Sequence, residues 1–255
     1  MRLTRVYVDA PIVADKRLLL EGSAANHIAR VLRLRVGDAV SVFNGDGGEF
    51  DARIETIQKD TVAVSIKEHR AVDRESPLSL TLAQGISRGE RMDWVIQKAT
   101  ELGAARIVPV FTKRSVVRLD EKQAERKLQH WRAIAVAACE QCGRNRVPEL
   151  ATPVDFYELL PAPGTGANAN PGAGGPEGPV RLLLSPDGDA RLADLDAVGA
   201  GITVLIGPEG GLEDAEQEAA LRAGFKAVRV GPRVLRTETA AIAALTIMQQ
   251  RFGDL

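Results

Sequence analysis

From Leu78 onward the chain alternates between strand-like and helix-like periods, and few folds accept that order. The stretch LSLTLAQG reads as a strand. Ser87-Arg88-Gly89-Glu90 has the Ser-x-x-Glu form of a capping box. The helix after it carries Met92, Val95, Ile96, Ala99 and Leu102 at helical spacing before Gly103 stops it. RIVPVF is a second strand. Asp120 is positioned to cap a long helix whose Ala124, Leu128, Trp131, Ala135 and Ala138 share a face, with Gly143 past its end. RLLLS, ITVLIG and AVRVG continue the alternation, and a last helix over residues 239–251 sets Ile242, Leu245 and Met248 or Gln249 on one face. This order predicts an α/β domain on a parallel sheet, whose strands deliver their carboxyl ends to one edge.

Ahead of Leu78 the pattern differs. Short strands are expected over residues 5–8, 39–43, 50–57 and 61–66, with Asn44-Gly45-Asp46-Gly47-Gly48 as a hairpin connection. Between the first two strands, NHIARVLRLRVGD supplies a short helix and a Gly-Asp turn. This is a small β-barrel pattern. Residues 70–77 are polar and end in proline, which suits a domain boundary near residue 72. Residues 161–179, PAPGTGANANPGAGGPEGP, have nothing to bury and read as a mobile surface insertion in a second domain spanning 73–255.

Composition excludes several classes. Only 4% of the 255 residues are aromatic, so Leu, Val, Ile and Ala carry the core. No apolar run approaches the roughly 20 residues that span a bilayer, and the start, MRLTRVYVD, reads as a strand rather than a signal peptide. A cytoplasmic protein is expected. Residues 88–146 hold 13 Lys or Arg against 7 Asp or Glu, whereas residues 147–255 hold 8 against 15. That segregation is compatible with a basic face toward a polyanion, or with solvated outer faces of amphipathic helices. Cys139-Glu140-Gln141-Cys142 lies within a helical pattern with no second Cys or His pair nearby, so structural cysteines and no metal are expected.

Three strand ends of the second domain run into irregular loops: Leu184-Ser185-Pro186, then Ile206-Gly207-Pro208-Glu209-Gly210-Gly211, then the long GPRVLRTET stretch after Val230. Loops on one edge of a parallel sheet can wall one pocket. A glycine-rich bend before a helix suits phosphate, but the carboxylate of Glu209 repels it. Prolines that remove N–H donors, with glycines that admit close approach, suit a flat heterocycle better. The plainer alternative is tight strand-to-helix turns in which Glu209 and Glu213 only favour helix starts.

LIGPEGG followed by VGPRVLRTETA resembles the C-terminal signature of the SPOUT class of S-adenosylmethionine-dependent RNA methyltransferases, specifically the 16S ribosomal RNA uracil-N3 methyltransferase family. The likeness extends through RVLRLRVGD, ERMDWVIQKATELGAARIVPVFTKRSVV and EQCGRNRVPEL, nearly the whole chain apart from 161–179. It implies a PUA-like barrel over residues 1–72, a SPOUT domain over 73–255 with a deep trefoil knot, and a homodimer acting on the small ribosomal subunit or its RNA.

The resemblance also assigns residues. Leu184, Ser185, Gly207, Pro208, Glu209, Gly211, Val230, Gly231, Leu235, Arg236, Thr237 and Ala240 would hold the methyl donor. Arg236 would stabilise a uracilate, and Glu238 would accept the N3 proton or only begin a helix. Arg30, Arg33, Arg35, Arg88, Arg91, Lys98, Arg144 and Arg146 would meet RNA phosphates. Asn26 and His27, Lys113 and Arg114 are further candidates, and His130 reads as surface. The competing readings are another SPOUT enzyme, such as a ribose 2′-O methyltransferase, and a non-catalytic RNA-binding assembly factor. A nicotinamide dehydrogenase fails for want of G-x-G-x-x-G after the first strand of the second domain.

Overall fold

The computed structural model describes residues 3–115, 120–160, 179–195 and 201–255. They form two compact units, Met1–Glu75 with Val136–Val147, and Ser76–Ala135 with Pro148–Leu255. The insertion expected at 161–179 lies, up to residue 178, outside the described residues.

The first unit is built on strands β1 (Thr4–Tyr7), β2 (Arg17–Glu21), β3 (Ala39–Phe43), β4 (Glu49–Ile57) and β5 (Thr61–Arg70), ordered β1-β3-β4-β5-β2. β1 runs parallel to β3 and the other pairs are antiparallel. Helix α1 (Gly22–Asn26) continues into a wider π turn over His27–Val31. The anticipated strands all form, and the glycine-rich connection joins β3 to β4. β2 was not anticipated, because the three leucines of RLLLE show no alternation. Only pairing with β5, Leu20 opposite Val62, makes it a strand. Val6, Leu20, Ile28, Val40, Ile54, Val64 and Ile66 close the core, each such burial stabilising by about 2 kcal/mol.

Residues 143–146 belong with this unit for a polar reason. Buried Arg5 donates to the Arg144 carbonyl at 2.8 Å, to Asn145 Oδ1 at 2.7 Å and to the buried Glu49 carboxylate. Asn145 donates to the Val72 carbonyl at 2.7 Å, and Arg74 to the Gly143 carbonyl at 3.0 Å. Arg144 in turn holds Glu75 Oε2 through Nε at 2.9 Å and Nη2 at 2.6 Å. Buried charges persist when paired and hydrogen-bonded in this way.

The second unit carries β6 (Leu80–Gly85), α2 (Glu90–Glu101), β7 (Arg106–Phe111), α3 (Glu121–Cys142, its first 15 residues), β8 (Glu149–Leu150), β9 (Val154–Asp155) and α4 (Phe156–Leu159). Then come β10 (Val180–Leu184), β11 (Ala190–Arg191), β12 (Ile202–Ile206), α5 (Asp214–Arg222), β13 (Lys226–Arg229) and α6 (Thr237–Phe252). The sheet order is β11-β13-β10-β12-β6-β7-β8, with β9 also on β7, and every pairing is parallel. Central strands covered on both faces read as continuous apolar runs; in ITVLI only Thr203 is not fully buried.

Helix signals fared unevenly. Asp120 and Gln123 exchange bonds at 2.8 and 3.2 Å ahead of α3, a working cap. The Ser87-to-Glu90 capping box is corrected: Gly89, at φ 64°, stands at the N-cap without a side-chain bond, and the Ser87 hydroxyl turns to the Gly85 carbonyl. The end of α6 is fastened by buried Gln249, which donates to the Leu102 carbonyl at 2.8 Å and accepts from Ser76 Oγ at 2.6 Å. Gln249→Ala is therefore expected to destabilise the protein by about 2 kcal/mol, read as a lower urea midpoint with unchanged slope.

Candidate active site

The carboxyl ends of β10, β12 and β13 open onto a cavity of about 600 Å³ in the second unit. Leu184 ends β10 and Ser185 follows it. Gly207, Pro208, Glu209 and Gly211 follow β12, and Val230, Gly231, Leu235, Arg236, Thr237, Glu238 and Ala240 follow β13. All of them line this one space. Three turns separated by 20 or more residues thus converge because parallel strands deliver their ends together.

Each wall has a local cause. The Gly211 N–H donates to the Pro208 carbonyl at 2.9 Å, closing a turn that requires φ +69° at Gly211. At the end of β6, a Cβ on Gly85 would stand 2.5 Å from both N and Cδ of Pro208, so glycine there lets β6 and the β12 loop touch. Thr237 opens α6 and donates its hydroxyl to the Gly207 carbonyl at 2.7 Å, tying the second wall to the third. The plain helix-start reading holds for Glu213, whose carboxylate and that of Glu216 form the capping box of α5. It does not hold for Glu209.

Two of the cavity carboxylates, Glu209 and Glu238, differ in their partners. Glu209 Oε1 accepts from Arg91 Nη1 at 2.7 Å and from the Arg88 N–H at 3.0 Å. Partial burial alone would push the Glu209 carboxyl up. The N–H groups of its own residue and Arg88 and the Arg91 guanidinium outweigh that and hold it below its ordinary value. Glu238 has its Oε1 4.0 Å from Arg91 Nε, while its Oε2 is shut off from solvent without a hydrogen-bond donor. Glu209 Oε1 thus already accepts two hydrogen bonds, whereas Glu238 Oε2 accepts none.

The basic residues anticipated for RNA fall into different settings. Arg91 is the one of the eight that lines the cavity. Arg88 is exposed near the same rim, and Lys98 is paired with Glu101 at 2.9 Å. In the first unit Arg33 and Arg35 are exposed, and Arg30 faces Asp60 at 3.7 Å. Arg146 is exposed over the Gly47 turn. Arg144 is a correction: it is 5% exposed and spent on Glu75. His27 lies 3.9 Å from Glu140, and exposed His130 meets Asp93 at 2.9 Å.

Sequence reasoning missed Arg114, Asp187, Leu212, Gln217, Arg233 and Val234 as lining residues. Arg233 and Val234 sit inside the quoted GPRVLR stretch, whereas Gln217 reaches the cavity from α5, which no local pattern foretells. Cys139 and Cys142 are free thiols, and burial pushes Cys139 up to about 12. Among the described residues no cluster of three or more His, Cys, Asp or Glu could hold a metal, and no helix is long and apolar enough to cross a membrane.

This geometry, loops at the carboxyl edge of a parallel sheet around a deep cavity, defines a ligand-binding α/β domain. The family described as an RNA methyltransferase domain matches residues 74–249, and the RNA methyltransferase PUA domain matches residues 20–67. The chain belongs to this family of RNA methyltransferases. Ribosomal RNA small subunit methyltransferase E of Buchnera aphidicola (from Schizaphis graminum) is 33% identical over 100% of this chain and 98% of its own length. The protein of the same name from Bacillus subtilis is 31% identical over 89% of this chain and 87% of its own. Among solved structures, a Legionella pneumophila methyltransferase in complex with SAM superposes with TM-score 0.91 at 40% identity, covering 100% of both chains. Ribosomal RNA small subunit methyltransferase E of Neisseria gonorrhoeae bound to S-adenosylmethionine gives 0.90 at 35% identity and 99% coverage of each.

Because folding lowers the pKa of Glu209, its carboxylate contributes stability above the unfolded value of about 4.5 and loses it as pH falls through the native titration. Glu209→Gln is expected to cost about 1 kcal/mol at pH 7. In acid below that native titration, which lies under 4.5, the difference from wild type should close. Urea unfolding of both proteins at the two pH values checks this, and a gap that persists in acid contradicts it.

Proposed function

We propose that the protein methylates N3 of a uridine in 16S ribosomal RNA of the small subunit, with S-adenosylmethionine as methyl donor. The observation that carries the reading is the convergence of three separate strand-end loops on one cavity. The likeness to two SAM-bound methyltransferase structures over the full length of the chain supports it further.

The residues present fit that donor. The second wall offers backbone of Gly207, Gly210 and Gly211, Pro208 has no N–H, and the Glu209 carboxylate is already paired with Arg91. These features suit an uncharged purine, held by backbone and close packing, better than a phosphate. Leu184, Ser185, Gly207, Pro208, Glu209, Gly211, Val230, Gly231, Leu235, Arg236, Thr237 and Ala240 would hold it. When bound, the donor supplies a methyl group on positively charged sulfur.

The chain's own residues must then position the base and take its proton. In-line transfer requires uracil N3 within about 3 Å of the methyl carbon. Glu238 is the acceptor for the N3 proton, since it lines the cavity with Arg91 4.0 Å away, beyond hydrogen-bond distance, whereas Glu209 Oε1 already accepts two hydrogen bonds. Arg236, exposed at the N-cap of α6, donates to a uracil carbonyl oxygen and stabilises the anion. Arg91 and Arg88 at the rim, and Arg30, Arg33, Arg35 and Arg146 on the PUA part, meet phosphates. The family resemblance adds a homodimer, a knot around α6 and a cytoplasmic location to this proposal.

Nucleoside mass spectrometry of small-subunit RNA from a strain lacking the gene is expected to lose 3-methyluridine, and an unchanged level contradicts the proposal. In vitro, Glu238→Gln and Arg236→Ala should each lower turnover about 100-fold. Retained turnover in either variant removes that residue from its role.

A further inference from the structure

Gln84 is the penultimate residue of β6, fully buried, paired in register with Ile206 on β12 and with Pro109 on β7. Its side-chain nitrogen lies 2.9 Å from Thr237 Oγ1, 3.1 Å from the Gly85 carbonyl and 3.4 Å from the Gly207 carbonyl. The Thr237 hydroxyl donates to that same Gly207 carbonyl. One amide group therefore bridges the end of the central strand, the first residue of the β12 loop and the first residue of α6. Gly207 and Thr237 line the cavity, whereas Gln84 does not.

We infer that Gln84 is a positioning residue for donor binding, holding the second and third cavity walls at a fixed separation through Gly207 and Thr237. The inference rests on reading the cavity as the methyl-donor site. Packing alone does not account for this residue. Its Oε1 is buried without a hydrogen-bond partner, which is unfavourable, and a leucine of similar volume would fill the same space with no unsatisfied atom. The amide is useful here for its two N–H groups, which fix the distance between loops whose strands, β12 and β13, are not paired with each other but separated by β10. A wall displaced by a fraction of an ångström would leave the β-sheet intact and the donor misfitted.

Calorimetry with S-adenosylmethionine on wild type, Gln84→Leu, Thr237→Val and the double variant, with steady-state kinetics and thermal melting of each, tests this. Gln84→Leu should weaken donor binding at least tenfold and raise donor KM likewise. Turnover at saturating donor, RNA KM and the melting midpoint without donor should stay near wild type. The effects of Gln84→Leu and Thr237→Val on affinity should be less than additive, because both break the same bridge. If Gln84→Leu does not fold, Gln84→Met, similar in length and without an N–H group, carries the test: it should weaken donor binding at least tenfold with turnover at saturating donor near wild type. Donor affinity equal to wild type in Gln84→Leu, or lost only in proportion to folded protein, overturns the inference. A wild-type protein that binds no donor overturns the reading of the cavity itself, and the inference with it.

Discussion

The site depends on parallel pairing of β13, β10, β12 and β6. Parallel strands cannot be joined by hairpins, so each must leave the sheet at its carboxyl end through a turn into a helix or long connection. Residues 184, 207 and 230 are far apart in sequence yet meet at one edge for that reason. The turns must also be tight: Gly85 against Pro208 leaves no room for a side chain, and Gly211 holds a positive φ that side-chain-bearing residues rarely adopt. The cavity is the space these constrained exits enclose.

Charge inside that space is divided rather than summed. Arg91 and the Arg88 N–H take up Glu209, so a carboxylate in a glycine-rich bend is tolerated without a ligand. Glu238, in the first turn of α6, stands near the same guanidinium but keeps one oxygen without a donor. Carboxylates in one cavity with unequal partners are suited to unequal tasks. The same contrast separates the arginines. Arg144 is locked onto Glu75 inside the first unit, whereas Arg236 is exposed at the cavity.

Much of this was legible in the sequence because the relevant signals are local. Apolar runs ending in Gly-Pro gave β12 and its turn, and the 3.6-residue spacing of Met92, Val95, Ile96 and Ala99 gave α2. What stayed hidden depends on distant partners. β2 exists because β5 lies beside it, and Gly89 displaced Ser87 as the N-cap while the Arg88 N–H bonds to Glu209. Gln84 reads as one polar residue at a strand end, and its bridge appears only once Gly207 and Thr237 are folded against it. Arg144 carries the same charge as its neighbours, and nothing in EQCGRNR separates a buried arginine from an exposed one.

The central claim is that these three loops together hold a methyl donor. A crystal structure of the protein soaked with S-adenosylmethionine tests it most directly. The account predicts donor density bounded by residues 184–185, 207–211 and 230–240, with Glu209 still on Arg91. Donor bound elsewhere, or an empty cavity at saturating donor, would contradict it.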